Sequence, residues 1–390
     1  MGRIRKDALD LEFLPVTSNV RFIGPERITS FSTYYNKERE EVYRSDNSSQ
    51  RYLDATKLNI PINCLEGYNS ESYVCDLPGI WEYFMHWIGK HEEIIRGPNP
   101  KNDPQQQIDF ICTNLELKRI LLACYEESDW TIIAFRIENE IFMHLADGET
   151  IEDNIRKLHG VEPTPQYNPR KTNKMNYARL NVIRKITKRV EERELNSDTD
   201  QDLFSIITSS KIGQHRILHT GITEFVADKD DVDKPIDQVN FAALKLIPYL
   251  FRGRNTGFNI SFYRHLYWWA SALVTGLETL ICGDLDEDFT LSKLKVLPAS
   301  ILKTKYHATA QKKCLITLDK ILHFIKSEVK EKNMAYEFQL NLSLQSGNYH
   351  MIFKNQQNLS HAMPNCQTTH YFLIDLQLLP SSVKNQNFNK

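Results

Sequence analysis

The sequence predicts one mixed α/β domain of the α+β kind, and three observations carry that prediction. Ile217–Pro248 reads as two strands: β-branched and apolar residues alternate with others on either side of a charged, Pro-containing run. Apolar residues recur at helical spacing in Ile80–Ile95, Tyr177–Glu194, Phe258–Gly276 and Lys312–Lys330, between runs that look like strands. No internal repeat or strong linker interrupts the 390 residues, whose 41% hydrophobic content suffices for one substantial core. The chain 1–390 is therefore read as a single domain with an ordered core over about 20–379 and a polar tail at 381–390.

Charge and cysteine usage narrow the function classes. A formal net charge of −2 gives no global electrostatic case for nucleic acid, so any such binding needs a local basic patch. Seven cysteines occur singly, without a Cys-x-x-Cys pair, which points to a reducing compartment. The opening MGRIRKDALDLEFL lacks the apolar run of a signal peptide, and no stretch reaches the roughly 18 apolar residues of a membrane span. An intracellular protein without membrane partners is expected.

Along the chain, Val20–Ile23 and Ile28–Tyr35 are short β-like runs, and Asn63–Tyr68 is a turn before the helix of Ile80–Ile95. Phe110–Tyr125 fits a strand followed by a helix or a strand alone, and the strand is favoured. Trp130–Ile137 and Glu140–Leu145 form a hairpin turning at Glu138-Asn139. Asp147–Lys174, with three prolines, reads as a surface connection. Tyr177–Glu194 is the most basic helix, and Arg184, Lys185, Lys188 and Arg189 are its candidate RNA-binding residues, set against the alternative of a solvated face balanced by neighbouring glutamates. In the central pair, period two puts Leu218, Thr220, Ile222, Glu224 and Val226 on one face and Phe241, Ala243, Lys245 and Ile247 on one face of the next strand. The aspartates of Asp228–Asp237 lack the EF-hand pattern and read as a solvated loop, and His215 with His219 lacks a third metal ligand. Trp268-Trp269 reads as core. Tyr336–Leu344, Tyr349–Phe353 and Tyr371–Leu378 close the chain as strands.

Several of these segments together resemble the decapping exonuclease (DXO) family. In that family the central strands carry Gly-Glu-apolar-Asp and then Glu-apolar-Lys; here they read Gly221-Ile222-Thr223-Glu224 and Ala243-Leu244-Lys245. Leu65-Glu66-Gly67-Tyr68 is similar to a family element that precedes a helix. Trp268-Trp269-Ala270-Ser271 is similar to the family's Lys-Trp-Trp-Ala-Gln-Ser, with Tyr267 and Ser271 replacing Lys and Gln. Asn114 stands where the family has the Arg of Trp-Arg-Gly, and Thr187 where it has a metal-binding Glu.

The resemblance implies two packed mixed β-sheets flanked by helices, with a cleft between them, and in active members a carboxylate-held divalent metal that drives removal of incomplete RNA caps and RNA degradation. Asn114, Thr187, Ile222, Glu224, Ala243, Lys245 and Ser271 are the remnant positions of that site. Thr187, Ile222 and Ala243 offer no carboxylate to a hard cation. The expectation is a pseudoenzyme with no catalytic residues, no metal and no other cofactor; the alternative is an active metal-dependent hydrolase with compensating ligands. In place of the metal, Glu224 and Lys245 are expected to pair, with Ile222 and Ala243 packed alongside. The pattern of loss also resembles a degenerate nuclear member of the family. That resemblance implies a chromatin-bound germline complex with Rhino and Deadlock at piRNA source loci, with RNA five-prime ends as a second partner.

Overall fold

The computed structural model describes residues 8–11, 19–36, 40–58, 61–69, 80–91, 94–95, 107–125, 130–145, 169–191, 202–247, 262–304, 307–332, 334–343 and 348–358. The chain begins with β1 (Ala8–Asp10), β2 (Phe22–Tyr35), β3 (Glu41–Arg44), β4 (Arg51–Leu53), β5 (Ile62–Asn63) and α1 (Trp81–Lys90). Next come β6 (Phe110–Thr113), α2 (Asn114–Leu122), β7 (Trp130–Ile137), β8 (Glu140–Leu145), α3 (Pro169–Ile186) and β9 (Thr187–Arg189). The central strands are β10 (Leu203–Ile212), β11 (His215–Thr223), β12 (Phe225–Val226) and β13 (Phe241–Ile247). The rest is α4 (Phe262–Thr275), β14 (Thr279–Leu285), β15 (Thr290–Pro298), α5 (Ala308–Glu328), β16 (Met334–Ser343) and β17 (Asn348–Asn358). The strand expected at Tyr371–Leu378, the polar tail and the connection before Pro169 lie outside the described residues.

These elements build two mixed sheets. One has ten strands in the order β1-β17-β16-β7-β8-β6-β11-β10-β2-β3, the other seven in the order β5-β15-β14-β13-β12-β4-β9. Strand β6 runs parallel to both β8 and β11, β13 to β14, and β12 to β4.

Alternation along the strands decides which layer each face meets. Phe110 and Cys112, Ile132 and Ala134, and Ile141 and Met143 face one core, shared with Leu117, Ile120 and Leu121 of α2 and with Leu266, Trp268, Leu318 and Ile321 from α4 and α5. Ile111, Phe135, Phe142 and Leu218 face the other way, onto Trp81, Phe84, Trp87 and Ile88 of α1. In the second sheet Ala242, Leu244 and Leu246 pack on Ala178, Val182 and Ile186 of α3, while Ile247, Leu280 and Cys282 join the α4 core. The layers therefore run α1, first sheet, a helical layer, second sheet, α3. The sheets meet directly at Phe204, Ile206, Val226 and Phe241. Trp268 and Trp269 are both buried, as expected of core residues. Each fully buried large side chain of this kind contributes roughly 1.5–3 kcal/mol.

Four expectations change. The two runs expected at Val20–Ile23 and Ile28–Tyr35 merge into one strand, β2, whose ladder to β10 shifts register where Gly24-Pro25 interrupts it, because proline has no N–H to donate. Phe110–Tyr125 is a strand and then a helix. Thr113 is the N-cap: its side chain accepts from Leu115 N–H and the Glu116 carboxylate accepts from Thr113 N–H, completing a capping box. The basic helix stops at Ile186, so Thr187, Lys188 and Arg189 belong to β9, which pairs with β4. The strand expected to run through Glu224 is split: β11 ends in the first sheet and β12 begins in the second, with Glu224 at the crossing. The hairpin forms as expected, with Glu138 at φ 50° in its turn.

Candidate functional site

Glu224 sits where the chain changes sheets, and both of its oxygens are engaged. Oε2 accepts from the Leu244 N–H at 2.8 Å, and Oε1 lies 2.5 Å from Nη2 of Arg179 on α3. The expected Glu224–Lys245 pair is thus replaced by a Glu224–Arg179 pair. Leu244 and Lys245 point to opposite faces of β13, and α3 covers the Leu244 face, so a carboxylate anchored on Leu244 N–H meets the arginine of α3 first. Ile222 is not packed alongside either: it is 39% exposed, whereas Ala243 is buried.

Lys245 is half-buried, and its ammonium makes no hydrogen bond or ion pair among the described residues. Burial, the largest influence, lowers its ammonium below the usual lysine range; Glu224 opposes this, while Arg179 and Lys118 reinforce it. Lys118 comes from α2, one turn beyond Asn114. Its Nζ donates to the Tyr267 hydroxyl at 3.3 Å and lies 5.0 Å from the ring centroid. Burial would raise the Tyr267 phenol, but Lys118, Lys245 and Arg119 outweigh it and the phenol is lowered. Three cations from three elements, Lys118, Arg179 and Lys245, therefore surround one carboxylate and one phenol. Ser271, one turn beyond Tyr267 on α4, is buried.

Asn114 forms the floor on the first sheet's side. Its Oδ1 is 2.5 Å from Nδ1 of buried His219, and Ser210 Oγ is 2.8 Å from Nε2. A neutral ring fits these partners, with Nδ1–H donating to the amide oxygen and Nε2 accepting from the hydroxyl. Burial holds its pKa at about 3. Gly221 is required here: a Cβ on it would lie 2.0 Å from Asn114 Nδ2, so α2 approaches β11 this closely only over glycine. His219 is thus a buried, satisfied core residue, and His215 packs edge-on against Phe110.

Glu116, which no sequence motif above singles out, fixes α2 in this arrangement. Its buried carboxylate accepts from Thr113 N–H at 2.9 Å and from Leu145 N–H at 3.3 Å, and contacts His144 Nδ1 at 3.5 Å. Burial pushes its carboxyl up, but the His144 and Thr113 contacts outweigh it and hold the pKa below the ordinary value. Glu116→Ala is expected to cost about 3 kcal/mol, from a lost cap and two orphaned buried donors. Glu116→Gln, which keeps one acceptor, should lose less. Urea denaturation measures both, and a change under about 0.5 kcal/mol for the alanine variant would remove Glu116 from this role.

The divalent metal implied by the family resemblance does not fit these side chains. Among the described residues no three His, Cys, Asp or Glu groups converge. Glu224 already holds a guanidinium, and Lys118, which the family motifs do not include, adds positive charge beside Lys245. Thr187 does not join the cluster: its Oγ1 donates to Ile183 O at 2.5 Å and accepts from Arg51 Nε at 2.9 Å, on a strand separated from β12 by β4. The candidate RNA-binding residues largely spend their charge on carboxylates. Lys185 pairs with Glu66, Lys188 with Asp54 at 2.9 Å, and half-buried Arg189 with Asp202 at 3.2 Å. Arg184 lies close enough to Arg51 to help lower it to about 10, after burial and Arg189. Among the described residues, Lys118 and Lys245 are cations of the remnant site that no carboxylate pairs.

A RAI1-like PD-(D/E)XK nuclease family model matches residues 24–366. The chain belongs to that family. Its fold is that of Rai1 from Scheffersomyces stipitis, with TM-score 0.66 at 13% identity over 95% of this chain and 99% of that one. Candida albicans Rai1 in complex with pU5-Mn2+ gives TM-score 0.66 at 13% identity, covering 94% and 99%. Dxo1 from K. lactis in complex with manganese gives 0.56 at 9% identity, covering 89% and 97%. No curated protein is matched by the sequence. The RAI1-like family and the DXO family suggested by the motifs are the same lineage of RNA-processing folds. Among the described residues, no helix of this member is long and apolar enough to cross a membrane.

Proposed function

We propose that this RAI1-like protein is a catalytically inactive member that holds the phosphate of an RNA five-prime end without hydrolysing it. The observation that carries the reading is the charge inversion of the cleft: Glu224, the surviving carboxylate, is held by Arg179 and Leu244 N–H, and Lys245 and Lys118 face the same space. A cleft of this kind repels a divalent cation and attracts a phosphate. An anion beside Lys245 would reverse the lowering of its pKa that burial causes. That Candida albicans Rai1 binds pU5 supports RNA as the source of the phosphate. In the cell, this reading places the protein in nuclear RNA metabolism. Its loss of ligands resembles that of Cutoff, and the proposal extends to a chromatin-bound complex with Rhino and Deadlock that shields nascent germline transcripts from cap-dependent processing, splicing and termination.

Incubation with Mg2+ or Mn2+ and RNA bearing a five-prime triphosphate, unmethylated cap or monophosphate tests the inactivity. No cap nucleotide or mononucleotide should be released. Metal-dependent turnover that Glu224→Gln abolishes would establish the alternative, an active hydrolase with compensating ligands.

A further inference from the structure

A second concavity, of about 540 Å³, opens where β2 meets the C-terminal end of α4 and the short helical turn after β15. Neither Lys245, Lys118 nor Glu224 lines it, and its size falls in the range of ligand-binding pockets. Trp269, Leu273 and Pro25 supply apolar wall. Glu26, Asp237 and Glu278 place three carboxylates around it, against two cations, Lys303 and Arg27, the latter paired with Glu278.

Arg27 also lines the pocket, but its charge is committed to the fold. The guanidinium donates to the carbonyls of Ile236 at 3.2 Å, Val239 at 2.5 Å and Gly276 at 2.7 Å, and lies 4.8 Å from the Phe241 ring centroid. Its side chain is 6% exposed, and Glu278, 3.8 Å away, is 63% exposed and keeps a face to solvent. Gly276, at φ +65°, lets the α4 terminus close on β2: a Cβ there would lie 2.9 Å from Pro25 Cγ. The pocket wall is thus pinned in shape by Arg27 and Gly276, and its rim is acidic.

Two large apolar side chains adjoin this rim in the open. Ile23, next to Gly24, is 62% exposed, and Ile301, next to Ser300, is 49% exposed. Apolar groups bordering an acidic concavity mark a protein-docking surface, and the carboxylates repel RNA.

We propose that this pocket docks a segment of a protein partner that presents a lysine or arginine between apolar side chains. The cation enters among Glu26, Asp237 and Glu278, and the flanking apolar residues cover Ile23 and Ile301. The site is independent of the RNA-end cleft, so occupancy of one leaves the other open.

Fluorescence anisotropy of the full chain tests this with three labelled decapeptides: one alternating leucine and arginine, one with glutamate for arginine, and one with serine for leucine. Only the leucine–arginine peptide should bind saturably. Glu26→Lys should weaken it about tenfold or more, and Ile301→Ser several-fold, with melting temperature and RNA affinity unchanged. Absence of saturable binding, equal binding of the glutamate peptide, or unchanged affinity in both variants overturns the proposal. Self-association without peptide that Ile301→Ser abolishes would assign the surface to a second copy and overturn it as well.

Discussion

Lys245→Ala is expected to weaken binding of a five-prime-monophosphorylated RNA by about tenfold or more at physiological salt. A hydrogen bond to a charged group is worth about 1.5–3 kcal/mol, and each 1.4 kcal/mol is a factor of ten. Lys245 suits this role because folding has already removed much of its hydration without supplying a partner among the described residues. Lys118→Ala should weaken binding too, though by less, since its ammonium already rests on Tyr267. Lys185→Ala and Lys188→Ala should stay within about twofold, because those ammonium groups are tied to Glu66 and Asp54. Binding should fall with salt and show no sequence preference. The same variant separates the observed pairing from the one expected from sequence. With Glu224 held by Arg179, Lys245→Ala strands no carboxylate and should leave the melting temperature unchanged or raised. Unchanged RNA affinity in Lys245→Ala would remove the cleft from RNA binding.

Acidification from pH 6.5 to 5 is expected to cost about 2 kcal/mol of folding stability through His219 alone, at 1.36 kcal/mol per pKa unit. The folded pKa is lowered by burial from 6.5 to about 3. In the window between those values the unfolded chain binds the proton and the folded chain does not, so stability rises with pH there. The contribution is fully present above about pH 6.5 and gone below about pH 3. Urea unfolding across this range should show a shallower pH slope for His219→Gln than for the parent protein. Should that variant not fold, NMR of the parent ring gives the same answer: no titration above pH 5 is expected. Parallel slopes, or a ring that titrates near pH 6.5, would mean that burial does not keep this histidine neutral.

Local patterns were legible wherever a residue's environment is set by its near neighbours in sequence. Alternation in Phe241–Ile247 gave the two faces of β13, and the hairpin turn at Glu138-Asn139 fell where it was expected. The helix at Asn114 also carries a local signal, the Thr113-x-x-Glu116 capping box, which marks its start more surely than the apolar run that favours a strand. The strand break at Glu224 carries none, since nothing in Ile222-Thr223-Glu224-Phe225 shows that consecutive residues join different sheets.

By itself the sequence determined a mixed α/β chain and its strand and helix periods, because these depend on residue identity and short-range spacing. Tertiary structure decided which charges meet. Arg179 reached Glu224 because α3 covers the Leu244 face of β13, and Lys118 reached Tyr267 because α2 packs on α4. It also set Lys185, Lys188 and Arg189 in ion pairs with Glu66, Asp54 and Asp202. Ion pairing acts over a few ångströms between residues far apart in the chain, so no spacing rule along one strand or helix encodes it.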